Sequence, residues 1–159
     1  IAEERSPTRE DASRALTEAG RERTRAVLQR ALALGLTADR LSTSPLVRAR
    51  QTAEIARAVG LAAELEVSGE LAPGGDPFPL IRRWLAAGGA PGRLLLVGHE
   101  PDLGLLAARL IGAAPGSLPL RKAGLALLAL PVGAAEAVEG SAELRLLLSP
   151  RVLLGERRG

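Results

Sequence analysis

Residues 93–102 read RLLLVGHEPD, and this stretch decides the fold. Leu94 to Val97 form a run of consecutive apolar residues between two glycines. The run is too short for a helix and suits a strand covered on both faces. Upstream, a helix is expected from about Pro79 to Ala87, leading through GGAPG into the strand. Downstream, Leu103 to Ile111 carries a helical pattern, with Pro101 at its start. Further back, Arg40 to Thr43 reads as a short strand, followed by a helix with Pro45 in its first turn and its end at Val59–Gly60. Leu61 to Val67 is a further extended segment. The loop GELAPGGDPF (69–78) is too rich in Pro and Gly for regular structure.

Nearer the start, Leu16 to Leu34 reads as a helix, with Thr17 as its cap and Gly35 as its stop. Near the end, GLALLALP (124–131) and ELRLLLSP (143–150) read as two strands with a hairpin-like connection from Pro131 to Ser141. Strands alternating with helices imply an α/β, three-layer sandwich with a mostly parallel central sheet. Ligands of such sheets lie beyond the carboxyl ends of the strands. Two polar segments fall there: STSPLVRARQTA (42–53) and GHEPD (98–102).

The chain has 159 residues, enough for a single domain spanning 1–159 with one sizeable core. Hydrophobic residues make up 47% and charged residues 25%, the balance of a globular domain. Cysteine is absent and there is one histidine, which excludes thiolate nucleophiles, disulfides and multi-histidine zinc sites. No metal and no cofactor are expected. The net charge is +3 and aromatics are 1%, so the dense basic run and stacking rings of a nucleic-acid binder are missing. GLALLALPVGAAEAV (124–138) is broken by Pro131 and Gly133 and is too short for ~30 Å of hydrocarbon. The chain opens on the charged run IAEERSPTREDASR, which does not read as a secretory signal, so a cytoplasmic location with no membrane partner is the expectation.

Two side chains stand out chemically. His99 follows a buried-type strand at the edge where α/β sites form, next to Gly98 and ahead of a helix start whose amides favour an anion. Arg48 lies one helical turn beyond Ser44–Pro45 at the same edge, and a guanidinium matches phosphate with a two-pronged fork. A lone structural histidine and a surface arginine are the competing readings. Together the two residues point to a phosphate pocket.

SPLVRARQTA (44–53) followed by LLLVGHEPDLG (94–104) resembles the histidine phosphatase superfamily, whose fold is phosphoglycerate mutase-like. RALTEAG (14–20), GELAPGGD (69–76) and LRKAGLALLAL (120–130) are similar to the small SixA-type phosphohistidine phosphatases. The resemblance runs through nearly the whole chain in the expected order. It implies a metal-independent phosphatase acting on phosphohistidine or another phosphomonoester, through a covalent phosphohistidine intermediate. Its partner would be a phosphorylated protein or a small phosphorylated substrate.

In that superfamily the nucleophile is a histidine in an Arg-His-Gly motif at the end of the first strand. The resemblance places that motif just before Ile1, preceded by a strand on the order of five or six residues long. It matches Arg48 and His99 to positions that line the phosphate, and Arg14 to an arginine of this branch for which a surface role is the alternative. Glu70 lies where the superfamily often carries its acid. Asp102 is a second candidate acid, although capping of the following helix is the preferred reading. Lys122 is a candidate cation on the substrate side. A phosphate-binding pseudophosphatase and a small-metabolite phosphatase or mutase are the alternatives.

Overall fold

Thr17 begins the first long helix by a local bond: its hydroxyl accepts from the Gly20 amide at 3.0 Å. The helix α1, Glu18–Ala33, then runs to Gly35, whose φ of 74° reverses the chain at little steric cost. The computed structural model describes residues 2–4, 11–88, 92–131, 133 and 137–156. Half of the charged opening run, part of the GGAPG connection and part of the β-ribbon connection therefore lie outside the described residues.

After α1 come β1 (Arg40–Thr43), α2 (Val47–Ala58), β2 (Glu64–Val67), α3 (Phe78–Ala86), β3 (Leu94–Val97) and α4 (Asp102–Leu110). β4 (Leu125–Ala129), β5 (Glu143–Leu148) and the short α5 (Pro150–Leu153) complete the order. β1, β2 and β3 form a parallel sheet in the order β2-β1-β3, and β4 and β5 form a separate antiparallel pair with an irregularity at Leu127/Leu128.

Alternation along β3 builds the layers. Leu95 and Val97 pack with α1 and α2 around Leu28, Ala31, Leu41, Ala53 and Ala56. Leu94 and Leu96 pack against α3 and α4 through Phe78, Ile81, Leu106 and Leu110. Successive side chains of a strand point to opposite faces, so β3 is covered on both, as its composition implies. Every residue of β3 is nonetheless only half-buried, because just one of its edges pairs with β1.

Three local expectations change. Pro45 precedes α2, which begins at Val47 with Leu46 as its cap. Loop 69–78 contains a short 3-10 turn, Gly69–Leu71, started by the Ser68 hydroxyl accepting from the Glu70 amide. Asp102 does not cap α4. The side chain nearest that role is Glu100, whose Oε1 accepts from the Gly104 amide at 2.8 Å. Gly104 permits this, since a Cβ there would sit 2.6 Å from the Leu118 carbonyl and 2.9 Å from a Glu100 carboxylate oxygen.

Sheet register sets the position of the site. Thr43 pairs with Val67 on one side and with Val97 on the other, so the three parallel strands end level. The ladder closes with Ser44 N donating to Val97 O and Ser68 N to Thr43 O, both at 2.9 Å. Ser44, Ser68 and Gly98 are therefore the first residues beyond one common edge.

Candidate functional site

At that edge lies a cavity of about 500 Å³ between β3 and the start of β4. Arg14, Arg48, His99 and Lys122 are among its lining residues, together with Gly98 and Glu100. The pairing expected of Arg48 and His99 is thus present, although 51 positions separate them, and Arg14 and Lys122 join them. Arg50 is exposed.

His99 is delivered by β3 and held by β1. Its Nε2 lies 2.7 Å from the Ser44 hydroxyl, and Ser44 is fully buried. Ser44 Oγ also accepts from the Leu46 amide at 3.3 Å, and its own proton has one remaining partner, the His99 ring. The serine therefore donates to Nε2, which assigns the ring proton to Nδ1. Burial lowers the His99 pKa below 6.5; the nearby charge of Arg48 lowers it further, and Asp102 and Asp11 oppose this in part. A neutral imidazole with Nδ1–H as donor is the resulting state near neutral pH.

Arg48 stands in the first turn of α2. Its Nη1 donates to the Asp11 carbonyl at 2.8 Å and its Nη2 to Asp11 Oδ2 at 2.9 Å. Arg14 Nε donates to Asp11 Oδ1 at 2.9 Å, and Arg14 Nη1 to the Glu3 carbonyl at 2.9 Å. The segment carrying Arg14 is docked to α2 by Leu16 N donating to Gln51 Oε1 at 2.7 Å. Two guanidiniums and one imidazole beside a single cavity can bind a tetrahedral oxyanion by charge and by hydrogen bonds.

Glu70 is not among the residues lining the cavity. Its carboxylate forms a forked ion pair with Arg83, with Arg83 Nη1 2.8 Å from Oε1. The hydrogen bonds from Arg83 lower its pKa against a smaller opposing effect of burial, and Ser68 adds to the lowering. An ionised, paired carboxylate is a poor proton donor. Asp102 takes a different part: its Oδ2 accepts from the Gly74 amide at 2.9 Å and ties loop 69–77 to the start of α4. Among the described residues no group of three or more His, Cys, Asp or Glu is arranged to hold a metal ion.

Asp11 and Ser44 are the site residues that sequence reasoning did not single out. Asp11 carries only the weak signal of an acid three residues before Arg14. Ser44 becomes visible only when strand register brings it next to His99.

The family model described as histidine phosphatase superfamily (branch 1) matches residues 3–72. An uncharacterized protein of Picosynechococcus sp. is 43% identical over 159 residues, which covers 97% of this chain and 94% of that protein. The structure of the protein histidine phosphatase SixA complexed with tungstate superposes with a TM-score of 0.75 and 27% identity, over 94% of this chain and 92% of that one. The chain belongs to the histidine phosphatase superfamily, and its type is that of SixA. Its three layers and parallel sheet are the phosphoglycerate mutase-like fold of this superfamily. The native structure of mycobacterial glucosyl-3-phosphoglycerate phosphatase shares that fold, with a TM-score of 0.66 at 20% identity over 85% of this chain and 88% of that one. Membership makes the protein a phosphatase in its general class. No helix among the described residues is long and apolar enough to cross a membrane.

Proposed function

We propose that this protein is a metal-independent phosphatase that hydrolyses phosphohistidine through a covalent phosphohistidine intermediate. The observation that carries the reading is the convergence of Arg48, Arg14 and His99 on one cavity at the carboxyl edge of the parallel sheet. In this reading the nucleophile is a second histidine, carried by an Arg-His-Gly segment upstream of Ile1. The cavity between β3 and β4 and the position of Ala2 in its lining support that placement, since a chain entering at Ala2 reaches the site directly.

The chemistry follows from charge. A phosphoryl group carries negative oxygens throughout transfer, so positioned cations and donors supply most of the catalysis. The Arg48 and Arg14 guanidiniums receive two of these oxygens, and His99 donates Nδ1–H to a third. The neutral nucleophilic imidazole attacks phosphorus in line. The bond from phosphorus to the substrate imidazole breaks, its electron pair stays on the leaving nitrogen, and the ring departs neutral with its proton on the other nitrogen. Water then attacks the enzyme's phosphohistidine, which releases inorganic phosphate and restores the nucleophile. A protonated imidazole leaving group needs no strong general acid, consistent with a Glu70 held by Arg83 away from the cavity. Lys122 is the cation placed to meet an anionic part of the substrate. The phosphorylated side chain of a protein suits an open pocket of this kind.

The test is hydrolysis of a phosphohistidine peptide by the chain extended to include the upstream segment, with a chelator present. Hydrolysis that survives the chelator and collapses in His99→Ala supports the reading. Loss of activity to the chelator, or full activity in His99→Ala, contradicts it. A second reading is a domain that holds phosphorylated ligands without turnover, since Arg14, Arg48 and His99 at one cavity suffice to bind an oxyanion. Oxyanion binding without a trappable phosphoenzyme in the extended chain favours this second reading; a trapped phosphoenzyme excludes it. Preference for phosphosugars over phosphohistidine protein would transfer the activity to small metabolites.

A further inference from the structure

We propose that Asp11 is a positioning residue that fixes both cavity guanidiniums for phosphoryl binding; this rests on the phosphatase reading above. One carboxylate serves two arginines from separate segments. Oδ2 takes Arg48 Nη2 at 2.9 Å, while Oδ1 takes Arg14 Nε at 2.9 Å and Arg14 Nη2 at 2.7 Å. The Asp11 carbonyl takes Arg48 Nη1 at 2.8 Å, so both terminal nitrogens of Arg48 are held by the same residue. Two contacts on one planar group set its tilt as well as its distance.

Exposure and lining separate this arrangement from a carboxylate that merely occupies an anion's place. The Arg14 and Arg48 side chains are 16% exposed and line the cavity, whereas Asp11 is 41% exposed and does not line it. The carboxylate grips the guanidiniums from outside the space that a phosphoryl group would enter. Two like charges that share a cavity wall repel, and a carboxylate between them offsets that repulsion at the separation the site requires. Burial pushes the Asp11 pKa up, but the hydrogen bonds and charges of Arg48 and Arg14 outweigh it and hold the pKa below the ordinary value, so the clamp stays charged near neutral pH.

Simple electrostatics and positioning make opposite predictions. Removing a negative charge beside two cations should tighten anion binding by Coulomb's law alone. Loss of a clamp should loosen it, by about tenfold to a hundredfold where geometry controls a site. The experiment measures tungstate affinity and phosphohistidine-peptide hydrolysis for the wild type, Asp11→Asn and Asp11→Glu, each also in an Arg48→Ala background. Circular dichroism confirms that each variant is folded. The expected result is weaker tungstate binding and a lower kcat/KM in Asp11→Asn, partial recovery in Asp11→Glu, and a smaller effect of Asp11→Asn once Arg48 is gone, because only Arg14 is then left for the carboxylate to position. Equal or tighter tungstate binding in folded Asp11→Asn overturns the clamp and leaves the phosphatase reading standing. An equal loss with and without Arg48 overturns it as well, since Asp11 would then act only as a pin for its own segment. A wild type that neither binds tungstate nor hydrolyses the peptide overturns both.

Discussion

The parallel half of the molecule and the β4–β5 ribbon solve the same problem differently. In the parallel half, β1 lies between two partners, and Leu41, Ser42, Thr43 and Ser44 are all fully buried. Three of these four residues are polar, and each is answered: Ser42 donates to Glu66, Thr43 to the Ser44 carbonyl and Ser44 to His99. In the ribbon, β4 and β5 have only each other. β4 is half-buried throughout, and Leu146 and Leu147 of β5 are 37% and 45% exposed. Burial on every side turns polar groups into precise geometry, because an unpaired group there is costly. A two-stranded ribbon with one face in solvent imposes no such demand. Arg48 and His99, which line the cavity, accordingly follow strands of the parallel sheet, and the start of β4 contributes to the cavity wall.

This contrast can be broken first where the expected effect is largest. Leu41→Ala opens a hole in the central strand and should cost about 3–5 kcal/mol, read as a shift in the denaturant midpoint. A loss below 1 kcal/mol would show that β1 is not the rigid frame described. Ser44→Ala should cost about 1–3 kcal/mol by leaving the part-buried His99 Nε2 without its hydrogen-bond partner. It should also raise the His99 pKa, because the neutral ring loses its hydrogen bond; an NMR titration of the imidazole would record the change.

The third prediction concerns pH. The folded-state pKa of His99 lies below the 6.5 of the free side chain. The unfolded chain therefore binds the proton first, so this contribution to stability is fully present above pH 6.5. It is lost as the pH falls from 6.5 to the folded-state value, and His99→Gln should flatten that part of the curve. Stability that instead rises on acidification through this window would contradict the assignment of a neutral ring. The smallest effect belongs to the ribbon: Leu147→Ser should change stability by no more than about 0.5 kcal/mol, as for other exposed positions. A cost like that of Leu41→Ala would erase the distinction between the two halves.

The fold was legible where local chemistry decides structure. Thr17 and Gly35 bracket α1, Gly60 closes α2, and Leu94–Val97 reads as a strand because neither flank can continue it. Arg48 and His99 were legible as a pair because each follows a strand end, and parallel strands bring their carboxyl ends to one edge. The rest depends on side chains meeting across elements, which local periodicity does not encode. Asp11 reaches Arg48 across 37 positions, and Ser44 reaches His99 across 55. Glu70 reads as an acid at the site until Arg83, 13 positions on in α3, is seen to draw it aside. Asp102 and Glu100 both suit the start of α4, and the choice turned on Gly74 standing close enough to claim Asp102.

The central claim is that Arg48 and His99 act on one oxyanion, and His99, as the sole histidine in the 159 residues, reports on it directly. The deciding measurement is an NMR titration of its imidazole with tungstate in the wild type and in Arg48→Ala. The account predicts saturable shifts of the ring signals in the wild type, and loss of about 100- to 1000-fold in affinity when Arg48 is removed. Tungstate that binds without moving the His99 signals, or that moves them equally in Arg48→Ala, would contradict it.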